Sequence, residues 1–242
     1  MATKPSGGDR ATKAAAIRLE HDRAERKRKL GLMAGVIATI AVIAAVMVYA
    51  TQKNSGSVDL PKVETSVGDH SLKMGPDSAP VKVVVYEDFL CPFCREFEES
   101  TRDFLLAGAQ DGKVQVEFRP FRLIQDDYSL NTLNAFAAIL ASDPQKALAF
   151  HDYAFDEQPY ESAPNKPTIS DLKGWANKIG VDKSATAKFD TVDQAWVDAA
   201  NKAAADAKIT GTPTILVDGK KLEGATIAEM ADNLEKLIAA AK

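Results

Sequence analysis

The stretch Val81-Lys82-Val83-Val84-Val85-Tyr86-Glu87-Asp88-Phe89-Leu90-Cys91-Pro92-Phe93-Cys94 runs from an apolar, β-branched segment into the only two cysteines of the chain. The near-continuous apolar run at Val81–Tyr86 predicts a strand buried on both faces. Pro92 has no amide hydrogen and fits the first turn of a helix. That helix is expected through Arg95–Ala107, with Phe97, Phe104 and Leu105 facing inward. The cysteines therefore fall at a strand-to-helix junction, and at this spacing they read as a redox dithiol. A zinc site normally takes four ligands. His21, His70 and His151 are scattered along the chain, so no metal and no cofactor are expected.

Outward from this segment, a short extended piece is expected at Ser71–Met74, closed by Gly75-Pro76. Lys113–Leu123 alternates Val114, Val116 and Phe118 with charged neighbours, which is strand periodicity. From about Ser129 to Ile209 the chain is Ala-rich, with Leu130, Leu133, Phe136, Ile139 and Leu140 at helical spacing. Pro213–Asp218, Gly219 and Lys220–Glu223 read as a hairpin, and Ile227–Ala241 as a final amphipathic helix. The helical block is too long for a single crossover and is expected as a subdomain, inserted at about 126–209 into an α/β core.

Residues 1–29 form a basic arm, nine bases against four acids. Residues 30–50 (LGLMAGVIATIAVIAAVMVYA) carry no charge and, at 1.5 Å rise per residue, are long enough to cross a bilayer. Bases crowd the N-terminal flank, so the positive-inside rule places the arm in the cytoplasm and the remainder outside, on the oxidising side. A cleaved signal peptide ending at Val48-Tyr49-Ala50 is the competing reading, disfavoured by the length of the apolar run. Residues 51–69, polar with Gly, Ser and Pro, are expected as a linker and 70–242 as the exported domain. The net charge of −4 leaves 21 bases and 30 acids outside the arm. That acidic balance argues against a nucleic-acid partner.

Phe89-Leu90-Cys91-Pro92-Phe93-Cys94 after an apolar strand resembles the active site of thioredoxin-fold oxidoreductases, and Gly211-Thr212-Pro213-Thr214 resembles the cis-proline loop that faces it. With the helical block between them, Leu72-Lys73-Met74-Gly75, Ala79-Pro80 and Asp88, the chain is similar over about 70–242 to DsbA-like proteins, especially membrane-anchored actinobacterial ones. The resemblance implies a thioredoxin fold with an inserted helical subdomain, preceded here by one N-terminal transmembrane helix. It also implies disulfide exchange with thiols of exported proteins, a cis Pro213 that presents the Thr212 backbone to substrate, and reoxidation by a membrane partner of the VKOR or DsbB type.

Cys91, at the helix start, is the expected nucleophile, its thiolate favoured by free amides and the dipole. Cys94, one turn in, is expected to be shielded and to resolve the mixed disulfide. Pro92 and Phe93 tune the pair. In thioredoxins a buried acid stands six positions before the first cysteine, where this chain has Val85. Glu87 and Asp88 stand nearer the loop, either as substitutes or as solvated strand-end acids. A charge near Cys91 would raise its pKa. Thr212 also suits reductase or isomerase relatives, and a tethered binding module with a purely structural bridge is a third reading. Trp175 and Trp196 read as packing residues, and His151 as a surface or half-buried histidine.

Overall fold

The computed structural model describes residues 60–241. The arm and the apolar span expected at 30–50 lie outside the described residues, as do residues 51–59 of the expected linker. Among the described residues no helix is long and apolar enough to cross a membrane.

The strand expected after Ala79-Pro80 forms as β3 (Val81–Glu87) and leads into α1 (Pro92–Gln110) and then β4 (Val114–Pro120). β3 and β4 pair in parallel, Val83 opposite Val116 and Val85 opposite Phe118, as a strand–helix–strand crossover requires. Two short strands complete one flank: β1 (Thr65–Val67) pairs antiparallel with β2 (Leu72–Met74), which pairs antiparallel with β4. The polar segment read as linker thus contributes a strand, because Ser66 and its neighbours complete the backbone bonds of β2 at the sheet edge.

On the other flank, β5 (Thr214–Val217) runs antiparallel to β3 and carries β6 (Lys220–Lys221). The sheet order is β1-β2-β4-β3-β5-β6. β6 is two exposed lysines, charges that discourage further strand addition at that edge. Between β4 and β5 lie α2 (Asp127–Leu140), α3 (Pro144–Asp156), α4 (Ile169–Ile179), α5 (Lys183–Thr186), a 3₁₀ turn (Ala187–Asp190) and α6 (Gln194–Asp206). This is the expected helical insertion.

α1 covers one face of the sheet, and α7 (Ile227–Ala240) packs beside it. Their close approach passes over Gly108, where a Cβ would stand 3.0 Å from Val114 and 3.1 Å from Ile238. A side chain there would separate helix and sheet. The insertion helices α2 and α3 close over the sheet and the C-terminal end of β3, burying Leu133, Phe136, Phe150 and Phe155 with Phe89 and Phe97. That end of β3 is where the cysteines emerge.

Candidate active site

α1 begins at Cys91, which occupies the N-cap with extended backbone (φ −73, ψ 117) and no side-chain cap. Its carbonyl accepts from the amides of Cys94 (3.1 Å) and Arg95 (3.2 Å). Pro92 falls in the first turn, where no amide hydrogen is missed. The geometry points Phe93 outward, 60% exposed, while Cys94 faces the core at 1%. Cys91 keeps 5%, so the two sulfurs are ordered as expected, the attacked one nearer the surface. Both are present as thiols.

Across from Cys91 stands the loop that leads into β5. The Thr212–Pro213 peptide is cis, and the Cys91 thiol donates to the Thr212 carbonyl at 3.3 Å. The residues that bring this contact about are 121 positions apart. They meet because β5 pairs with β3, Thr214 opposite Tyr86. The Cys91 pKa is lowered to about 6, first by the hydrogen bond from the Cys94 thiol, against burial. Thr212 and the first-turn amides of Phe93 and Cys94 lower it further. Burial, the neighbouring Cys91 sulfur and the charge of Glu87 push Cys94 the other way, well above the usual thiol range. One thiol is poised to react and the other to hold its proton.

Glu87 and Asp88, left open between substitutes and solvated acids, are both sealed from solvent at 0% exposure. Asp88 ties the loop together. Its Oδ1 accepts from the Leu90 amide at 2.8 Å, its Oδ2 from the amides of Leu123 and Ile124 at 2.8 Å, and both from the Ser129 hydroxyl. Burial raises its pKa and these donors oppose the shift. Asp88 thus joins the cysteine loop to the β4–α2 connection. Glu87 acts on Cys94, and the charge expected to weaken the Cys91 thiolate is not among the causes of its shift.

The half-exposed reading of His151 is overturned. The imidazole is fully buried, its Nε2 2.7 Å from Glu87 Oε1 and its Nδ1 3.2 Å from Asp152 Oδ1. Phe89, Phe118, Phe136 and Phe155 surround the ring, the nearest centroid at 4.4 Å. Burial draws its pKa down, yet the Glu87 carboxylate with Asp152 prevails and holds it well above the ordinary value. Glu98, one turn after Cys94 on α1, is also buried, and that burial pushes its pKa up to about 8 although His151 opposes the shift.

Ligand atoms of Glu87, Glu98 and His151 lie within 4.8 Å of one another, the arrangement among the described residues that could hold a metal ion. Both imidazole nitrogens already face carboxylates, so the cluster reads as one that shares protons. His151 sits on the buried stripe Ala147, Leu148, Ala154 and Phe155 of α3, and Glu98 on the stripe Cys94, Phe97, Thr101 and Leu105 of α1. That periodicity was the signal available in the sequence.

Gln158 had no such signal. Its side-chain amide donates to the carbonyls of Phe89 (2.9 Å) and Cys91 (3.1 Å), holding the loop from the insertion side. Beside it an open groove of about 490 Å³ borders Pro92, Arg95, Pro159 and the exposed Tyr160. Trp175 is buried against Tyr153 and Trp196 half-buried, both as packing residues.

A family model described as thioredoxin matches residues 66–238. A probable disulfide bond formation protein D of Bacillus cereus is 29% identical over 150 residues, 60% of this chain and 69% of the relative. Among solved structures, DsbA from Mycobacterium tuberculosis superposes with TM-score 0.61 at 23% identity, covering 72% of this chain and 93% of the other. BdbD from Bacillus subtilis does so with TM-score 0.62 at 21% identity, covering 73% and 95%.

Proposed function

The chain belongs to the thioredoxin family, and from that premise we propose that it is a thiol:disulfide oxidoreductase that introduces disulfides into exported proteins through Cys91 and Cys94. The observation that carries the reading is the Cys91 sulfur: poised at the start of α1 with a pKa of about 6, facing the Thr212 backbone, with Cys94 sealed beneath it. The disulfide-formation name of the Bacillus cereus relative supports the oxidising direction.

In the oxidised pair, a substrate thiolate attacks Cys91 Sγ, and the electrons of the broken bond pass to Cys94, which takes a proton. A second substrate thiolate then attacks the substrate sulfur of the mixed disulfide. Cys91 leaves as a thiolate, and the substrate carries away the new disulfide. A leaving thiol of low pKa leaves faster, and a stabilised thiolate makes the pair more oxidising. The Thr212 backbone offers an edge along which an extended substrate segment lies. Catalysis on this plan takes place outside the cytoplasm, with residues 30–50 as the anchor and a membrane reoxidase of VKOR or DsbB type restoring the disulfide. The apolar span and its basic flank support that placement.

Expression of the full-length Cys94→Ala chain in cells tests the reading. Without the Cys94 thiol, whose attack on Cys91 otherwise releases the bound protein, mixed disulfides between Cys91 and exported proteins should accumulate and disappear on reduction. Their absence would overturn it.

A further inference from the structure

The turn that carries Cys91 is tied from the core by Asp88 and from outside by one residue of the insertion. Gln158, two residues past the end of α3 and 7% exposed, donates its side-chain amide to this turn twice. The acceptors are the Phe89 carbonyl at 2.9 Å and the Cys91 carbonyl at 3.1 Å. Each bond completes a peptide plane. The plane between Phe89 and Leu90 already gives its N–H to Asp88 Oδ1 at 2.8 Å, so Gln158 fixes its other end. The plane between Cys91 and Pro92 has no N–H, and its carbonyl is the only group by which it can be held. Between the two, the Cys91 amide donates to the Asp88 carbonyl at 2.9 Å. Gln158 is itself anchored: its backbone amide donates to the Phe155 carbonyl at 3.3 Å, and its carbonyl accepts from Arg95 Nη1 at 3.4 Å. The backbone on both sides of the Cys91 Cα is thereby set, and with it the direction of the Cα–Cβ bond that carries the sulfur.

We propose that Gln158 is a positioning residue that sets how fast Cys94 recaptures Cys91 from a mixed disulfide, and so divides that intermediate between completion and release. This assignment rests on the disulfide-exchange reading above. In recapture, the deprotonated Cys94 sulfur attacks Cys91 Sγ and forms the ring. The Cys91–substrate bond breaks with its electron pair on the substrate sulfur, which departs as a thiolate. In the closed ring the covalent bond itself holds the two cysteines together. In the mixed disulfide and the dithiol only the backbone does, so there the clamp supplies the alignment. Holding reacting atoms near attack geometry removes entropy from the barrier. Freeing the turn therefore slows recapture and favours the open forms over the ring. Attack by Cys91 on an outside disulfide needs no alignment with Cys94 and keeps its rate.

The test is stopped-flow reaction of the reduced full-length chain, in detergent, with oxidised glutathione, resolving formation of the mixed disulfide from closure of the ring. Gln158→Leu and Gln158→Met, which lack the amide, should form the mixed disulfide at the parental rate and close the ring about tenfold more slowly. The equilibrium constant with glutathione should fall by a similar factor, about 30 mV toward the oxidising side. Gln158→Asn, which keeps the donors on a shorter stem, should fall between the parent and Gln158→Leu. Equal slowing of both steps, or unchanged closure rates and equilibrium constants, in variants shown to be folded by circular dichroism, would overturn the proposal. If the parental chain itself forms no mixed disulfide, the disulfide-exchange reading fails instead.

Discussion

The Cys91 thiol lies 3.3 Å from the Thr212 carbonyl, although 121 residues separate them. The Thr212 side chain also lowers the Cys91 pKa, but the hydrogen bond from Cys94 is the largest cause. Thr212→Val should therefore raise the thiol pKa from about 6, and Cys94→Ala should raise it further. Alkylation rates by iodoacetamide as a function of pH give both values. A larger shift for Thr212→Val would reverse that ranking.

The same pKa sets the pH response of the redox couple. The folded value of about 6 lies below the unfolded one. The thiolate thus adds stability to the reduced form that is complete above the unfolded pKa, near 8.5, and lost as pH falls through about 6. In the reduction potential, each proton per two electrons is about 30 mV per pH unit. We expect a slope of about 59 mV per pH unit below pH 6 and about 30 mV between 6 and 8, measured by equilibration with glutathione. A single steep slope throughout would mean that Cys91 keeps its proton.

Asp88 accepts from three backbone amides and the Ser129 hydroxyl in a site without solvent. Asp88→Asn would turn an amide group toward at least one of those donors. A loss of about 2–3 kcal/mol in urea unfolding is expected, with the slope unchanged. A neutral result would mean that the loop holds without this cradle.

Glu98 should destabilise the folded chain at alkaline pH. Its folded pKa of about 8 lies above the ordinary carboxyl range. Between the two values the folded state keeps a proton that the unfolded state has lost, so stability falls as pH rises. His151 acts in the same direction. Its raised value gives stability that is present below the unfolded pKa, near 6.5, and lost as pH climbs toward the folded one. Glu98→Gln should flatten the profile and stabilise the protein at pH 8 by on the order of 2 kcal/mol, read from chemical unfolding at several pH values.

Phe93 and Tyr160 are exposed at 60% and 83% beside the cysteines. Apolar surface at a reactive thiol suits extended, unfolded substrate chains. Combined Phe93→Ser and Tyr160→Ser should raise KM for a reduced, unfolded protein about tenfold, roughly 1.4 kcal/mol, and leave reaction with glutathione unchanged. Equal loss with both substrates would assign the two rings to the thiol chemistry instead.

Much of this arrangement was legible along the chain because local rules carry it. The apolar run at Val81–Tyr86, Pro92 after Cys91 and the alternation around Val116 depend on neighbours a few residues away, and the strands and helix formed where those signals stood. Glu98 and His151 were legible in part, since each stands on an apolar stripe. His151 was expected at the surface or half-buried, whereas the spacing of both residues places them inside. Gln158 carried no signal, because its role is two hydrogen bonds across a loop that nothing local specifies.

The amino-acid order was therefore enough for the strand and the helix start at the cysteines, which spacing within one or two turns governs. The facing proline loop and the family were legible through motifs that resemble known relatives. The protonation of the pair is of another kind. The low pKa of Cys91 and the sealed cluster of Glu87, Glu98 and His151 arise where β3, α1, α3 and the Thr212 loop converge. Burial and short distances between remote side chains set those charges, and neither quantity exists until the chain has folded.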